Sequence, residues 1–168
     1  MLKTFTYLFF ILLVMSTSCR VRYSFTGADI PEEAKSVTVA MFVNNAGLTN
    51  PNYPLKITEG LKDIIISQSK LYMVQSNGDL QFSGTITGYD IRPVAVQANE
   101  TAGLNRLTIS VSVTYANRFD EKKNFTQTFT RFADYNSAQD LSSVEDGLMD
   151  EINKMLVQDI FDRAFSNW

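Results

Sequence analysis

RLTISVSVTYANRF, residues 106–119, alternates without a break. Leu107, Ile109, Val111, Val113 and Tyr115 point one way and Thr108, Ser110, Ser112 and Thr114 the other. A period of two with one apolar side is the pattern of a strand that buries one face. Residues 120–124 (DEKKN) form a charged hairpin loop, and residues 125–135 return as the partner strand, with Phe125, Phe129 and Ala133 on one side. The other side of this hairpin is rich in Thr and Ser. Those residues favour strands without being greasy, so that face suits solvent or a wet protein interface.

Upstream, residues 80–89 read as another strand. Leu80, Phe82 and Ile86 share a face with Gly84 and Gly88, and the glycines are expected to make room for helix side chains. Residues 93–103 read as a longer connection. Residues 36–43 read as the first strand, with Val37, Val39, Met41 and Val43 alternating against Thr38, Ala40 and Phe42. Between these strands, Pro54 suits a first helical turn. Ile57, Leu61, Ile64, Ile65 and Gln68 then follow helical spacing, predicting an amphipathic helix over about 54–69. Residues 71–74 form a short strand segment, followed by a strong turn signal at Ser76-Asn77-Gly78-Asp79. The last helix is predicted over about 142–165. Ser142 and Glu145 have capping-box spacing, and Val144, Leu148, Ile152, Met155, Leu156, Ile160, Ala164 and Phe165 form an apolar stripe. The expected fold is α+β, a two-layer sandwich with two helices packed on one face of a mixed four-stranded sheet, in the order β-α-β-β-β-α.

The N-terminus has a different character. Lys3 precedes an apolar run from Phe5 to Met15. The run is too short to span a bilayer, which takes about 20 residues, and it fits a secretory h-region. Ser16-Thr17-Ser18-Cys19 follows as a lipobox, with Ser16 where Leu is usual. Residues 1–18 are therefore read as a lipoprotein signal peptide and Cys19 as the lipid attachment site. Residues 19–35 are a tether and lead-in, and residues 36–168 a single domain. Cys19 is the only cysteine, so no intramolecular disulfide is available and the fold rests on its core.

Of fifteen Lys and Arg residues only Lys3 lies in the leader, leaving fourteen against eighteen acidic residues, a net charge of −4. That balance and the export signal argue against nucleic acid as a partner. The chain has no histidine, which removes the commonest general base and zinc ligand. Serines lack the nucleophile-elbow pattern, and no Gly-rich phosphate loop is present. The carboxylate pairs Glu32/Glu33, Asp120/Glu121, Glu145/Asp146 and Asp150/Glu151 fall in a lead-in, a hairpin loop and a solvated helix face. They serve solubility and capping rather than glycoside hydrolysis. No catalytic residue, metal site or cofactor is expected beyond the lipid on Cys19. Arg92 and Arg106 bracket the loop before the long strand, and Arg118, Lys122 and Lys123 cluster at the hairpin. These five are the candidates for meeting an anionic phosphate.

Several longer motifs carry a resemblance: YSFTGADIPEEAKSVTV (23–39), QSNGDLQFSGTITGY (75–89), NETAGLNRLTISV (99–111), FTRFADYNSAQDLSSVEDGL (129–148) and the terminal Asn167-Trp168. Through these the chain from Cys19 onward resembles the LptE family of lipopolysaccharide-assembly lipoproteins. The resemblance implies two helices on a four-stranded sheet. It also implies a role at the inner face of the outer membrane, as plug and assembly partner within an LptD-like β-barrel in a 1:1 complex, with lipopolysaccharide as ligand. Arg20-Val21-Arg22 lacks the acidic signal that directs some lipoproteins to the cell surface, so the expected location is the outer membrane, lipid-anchored, on the periplasmic side. The alternative is a free-standing periplasmic lipid- or glycan-binding lipoprotein, which predicts a deep apolar pocket and no obligate partner.

Overall fold

A computed structural model describes residues 30–47, 49–94 and 103–166. The leader, Cys19 and most of the tether lie outside the described residues. The elements are β1 (Ser36–Val39), β2 (Val43–Asn44), α1 (Tyr53–Gln68), β3 (Tyr72–Met73), β4 (Leu80–Val94), β5 (Leu104–Asn117), a 3₁₀ turn (Glu121–Lys123), β6 (Phe125–Asn136) and α2 (Leu141–Phe165). The sheet runs β3-β1-β4-β5-β6, with β2 also paired to β4. β1, β2 and β3 join in parallel, while β4, β5 and β6 form an antiparallel meander.

The α+β class, the mixed sheet and the parallel pairing of the first strand with β4 agree with the sequence reading. The count of four strands and the order β-α-β-β-β-α do not: the sheet has six strands. One extra strand is the segment near residue 72, which pairs with β1. The other arises because the strand expected over 36–43 breaks in two. Val39 pairs with Phe82 and Val43 with Thr85, so four steps on one strand match three on the other. This is a bulge of one extra residue, which shifts the alternation by one. Val37 and Val39 are buried, but beyond the bulge Phe42 is buried while Met41 and Val43 are exposed.

Phe42 lies over Gly84. A methyl carbon built at Gly84 would sit 2.2 Å from Phe42 Cε1. Gly84 therefore makes room for a ring from the bulged strand, not for a helix side chain. Gly88 does not share the core face either. The β4–β5 register shifts between Ile86 and Gly88, so Gly88 pairs with Ser110 on the outer side and Tyr89 pairs with the buried Ile109. Strand β4 also continues through Pro93, which pairs with Asn105 where a connection was expected. Proline is tolerated there because, among the described residues, this half of β4 has β5 as its only neighbour.

Both helices cover the same face. α1 packs on β1 and β3, α2 on β5 and β6, and the helices touch each other. Leu107, Ile109, Val111, Val113 and Tyr115 of β5 are all buried beneath them. Phe82, Tyr115 and Phe165 form an aromatic knot with ring centroids 4.8–6.0 Å apart. Such pairs contribute about 0.5–1.5 kcal/mol each beyond burial. The buried side of α2 is wider than the predicted stripe and adds Met149, Val157 and Phe161, because the helix meets α1 as well as the sheet. The expected capping box is not formed. Asp140 is the N-cap without a side-chain cap bond, and Glu145 turns away to Tyr89 and Asn50.

Candidate functional site

The five basic candidates do not converge. Arg106 and Arg118 lie twelve residues apart along one extended strand, roughly 40 Å at about 3.3 Å per residue. Arg92 and Arg106 stand at one end of the sheet, directly opposite each other on β4 and β5. Arg118, Lys122 and Lys123 stand at the other end, around the β5–β6 hairpin.

At the first end a row runs across three strands, Arg92–Arg106–Asp134. Arg106 is already engaged. Its Nε and Nη2 donate to the two carboxylate oxygens of Asp134 at 2.7 and 2.8 Å, and its guanidinium lies 3.6 Å above the Phe132 ring. The hydrogen bond from Arg106 holds the Asp134 carboxyl below the usual carboxylate range. A phosphate would have to compete with Asp134 for the same fork of donors. Sequence spacing could not show this pair, because the partners are twenty-eight positions apart and meet only through the β5–β6 register.

At the second end Arg118 lines an open polar cleft of about 490 Å³ together with Asp79, Gln81, Glu121 and Asn124. Asp79 fastens the point where the chain enters the domain. Its Oδ2 accepts from the backbone N–H groups of Lys35 and Ser36 at 3.0 Å each and from Ser36 Oγ at 2.8 Å. The Lys35 backbone bond, then the two Ser36 bonds, hold its carboxyl below the usual range, with a smaller contribution from Arg118. The turn before Asp79 was legible from Asn77-Gly78, and Asn77 does take a left-handed φ of 55°. The role of Asp79 in tying β1 to β4 was not legible.

A further polar surface is the outer face of the meander. Ser83, Thr85 and Thr87 on β4, Thr108, Ser110, Ser112 and Thr114 on β5, and Thr126, Thr128 and Thr130 on β6 all lie on the side away from both helices, and none is buried. Hydroxyls bond across strands, Ser110 to Thr130 at 2.8 Å and Thr114 to Thr126 at 3.0 Å. This face follows directly from the alternation in residues 106–119. On the opposite, helix-covered side, sequence reasoning missed a partly buried polar group. Tyr89 Oη donates to Glu145 Oε1 at 2.5 Å, Asn50 Nδ2 donates to Glu145 Oε2 at 3.1 Å, and the Tyr53 and Tyr89 rings meet edge-on at 6.3 Å. Burial pushes the Tyr53 hydroxyl above its ordinary pKa.

Among the described residues, no helix is long and apolar enough to cross a membrane. The fold recurs in solved structures. A minor lipoprotein from Acinetobacter baumannii matches with a TM-score of 0.50 and 15% identity, over 77% of this chain and 91% of its own. A hypothetical protein from Chlamydia trachomatis matches at 0.51 and 10%, over 78% and 98%. Lipoprotein B from Nitrosomonas europaea matches at 0.51 and 17%, over 86% and 88%. At these identities the likeness is one of fold, a two-layer domain found in bacterial lipoproteins. No curated protein matches the sequence. The sequence model of LptE, described as lipopolysaccharide-assembly, matches residues 34–164, and the chain belongs to that family.

Proposed function

We propose that this protein is an outer-membrane lipoprotein that assists transport of lipopolysaccharide as the plug and partner of an LptD-like barrel, in a 1:1 complex. In this reading residues 1–18 are removed, Cys19 carries the lipid, and the domain sits on the periplasmic side. The observation that carries it is the bare outer face of β4, β5 and β6. Both helices lie on the other side of the sheet, so among the described residues no helix covers this broad hydroxyl-lined surface. Large outer-membrane barrels have polar interiors, and a surface of Thr and Ser hydroxyls makes and accepts hydrogen bonds there, with the Arg92–Arg106–Asp134 row at one end of the same face. Lipopolysaccharide phosphate would be met at two separate places, Arg92 at one end and the Arg118, Lys122 and Lys123 group at the other, with Arg106 held by Asp134. The cleft beside Arg118 is open and lined by amides and charges, unlike the deep apolar pocket a free-standing lipid carrier needs.

The test is affinity purification of the full-length lipoprotein from detergent-solubilised outer membranes, followed by mass spectrometry. Recovery of the barrel at near-equal stoichiometry is expected. A clean monomer from membranes that plainly contain the barrel overturns the plug reading in favour of a free-standing binding lipoprotein.

A further inference from the structure

Among the described residues strand β6 ends the sheet, and none of them pairs with its outer edge along Phe125–Asn136, twelve residues. The direction of its hydrogen bonds follows from the ladder. Ser137 N–H donates to Gly103 O at 2.9 Å, and the register continues unbroken from there to the hairpin. In an antiparallel pair hydrogen-bonded and non-bonded positions alternate. Gln127, Phe129, Arg131 and Ala133 therefore bond to β5. Thr126, Thr128, Thr130, Phe132 and Asp134 turn both N–H and C=O outward, away from the sheet, and Asn136 turns its N–H outward while its C=O accepts from Gln139 N–H at 3.0 Å.

Natural edges are commonly protected by lysine, proline, a bulge or an uncompensated charge. β6 has none of these. Its sequence, FTQTFTRFADYN, contains no Lys, Pro or Gly, and its pairing with β5 has no register shift. Its two charges are neutralised inside the domain. Arg131 is forked onto Asp159 of α2 at 2.6 and 2.7 Å, and Asp134 is held by Arg106. The opposite edge of the sheet, β3, is only two residues long.

We propose that the open edge of β6 is a strand-addition site that receives an extended segment of the barrel partner. A row of outward donors and acceptors repeating every second residue is matched in spacing only by another extended backbone. The edge is continuous with the hydroxyl-lined outer face, so one partner can cover both. A second copy of this chain is the other extended backbone that could occupy the edge, and the concentration dependence below reads it out. The proposal rests on the plug reading for the identity of the partner.

The test is hydrogen exchange of the β6 peptide, residues 125–136, in the full-length lipoprotein alone and in the purified complex with the barrel. In the protein alone, the amides of the six outward residues exchange fast and the inward ones slowly. In the complex the outward amides are expected to slow by about 100-fold or more. Thr128→Pro removes one outward N–H and leaves the β5 ladder intact. It is expected to lower recovery of the complex about tenfold, whereas Thr128→Ala, which loses the same hydroxyl but keeps the N–H, lowers it clearly less, with the same far-ultraviolet spectrum and unfolding midpoint for both variants. A complex that forms while the six amides stay fast, or that tolerates the proline, overturns strand addition and leaves the plug reading standing. Failure of the wild type to bind the barrel overturns both. Protection that rises with concentration in the lipoprotein alone assigns the edge to self-association and overturns the barrel strand as its occupant.

Discussion

Replacing Gly84 with alanine tests whether the bulge between β1 and β2 exists to seat Phe42. The added carbon would stand 2.2, 2.6 and 2.7 Å from three atoms of the Phe42 ring. Carbon atoms rest at about 3.5–4.0 Å, so the ring must retreat by more than about 1 Å. It has little room to do so. Phe42 is 2% exposed, and its backbone N–H is bonded to Thr58 Oγ1 of α1 at 3.0 Å. Overpacking of this kind costs about 1–3 kcal/mol. Phe42→Ala alone costs about 3–5 kcal/mol. Once the ring is gone, the alanine methyl at position 84 enters vacated space, and replacing a strand glycine then stabilises by about 0.5 kcal/mol. The effect of Gly84→Ala should therefore reverse sign between the two backgrounds, with a coupling of about 1.5–3.5 kcal/mol. Urea denaturation of the wild type, both single variants and the double variant gives the four free energies, with m-values checked for constancy. Equal cost of Gly84→Ala in both backgrounds would refute the contact and the bulge register that creates it.

Asp79 gives a pH prediction. Its carboxyl is held below the ordinary range by the Lys35 and Ser36 bonds. Its stabilising contribution is therefore fully present above the unfolded carboxylate pKa, near 4, and is lost as pH falls through the lower folded value. Asp79→Asn should be less stable than the wild type at pH 7, and the gap should close as the pH falls below about 4; a gap independent of pH there would count against the reasoning. For the basic groups, alanine at Lys122 and Lys123 and, separately, at Arg92 and Arg106 is measured against lipopolysaccharide at two salt concentrations. At the Arg92 and Arg106 end the effect is expected to come from Arg92, because Arg106 is already neutralised by Asp134. Unchanged affinity and salt response in both variants would dismiss an electrostatic site at either end.

The long strands, both helices and the faces they bury were readable from residue order alone, because each is set by local periodicity. Residues 106–119 and the run from Ile57 to Ile65 announce which side goes inward whatever they pack against. The polar outer face was readable for the same reason, being the complement of the core face. Strand pairing added what periodicity cannot hold. A single extra residue between Val39 and Val43, and the register shift after Ile86, move Phe42 into the core, Tyr89 against it and Gly88 out of it. A bulge is a mismatch between two strands and has no signature in either one. The scattering of five basic residues to opposite ends, the capture of Arg106 by Asp134 and the bonding of Glu145 to Tyr89 likewise join positions far apart in the chain. Sequence by itself determined the layers and their polarity, since these follow from side-chain alternation within each segment. Only the tertiary structure decided which charges are spent, which glycine meets which ring and which edge stays open, because those depend on register between segments.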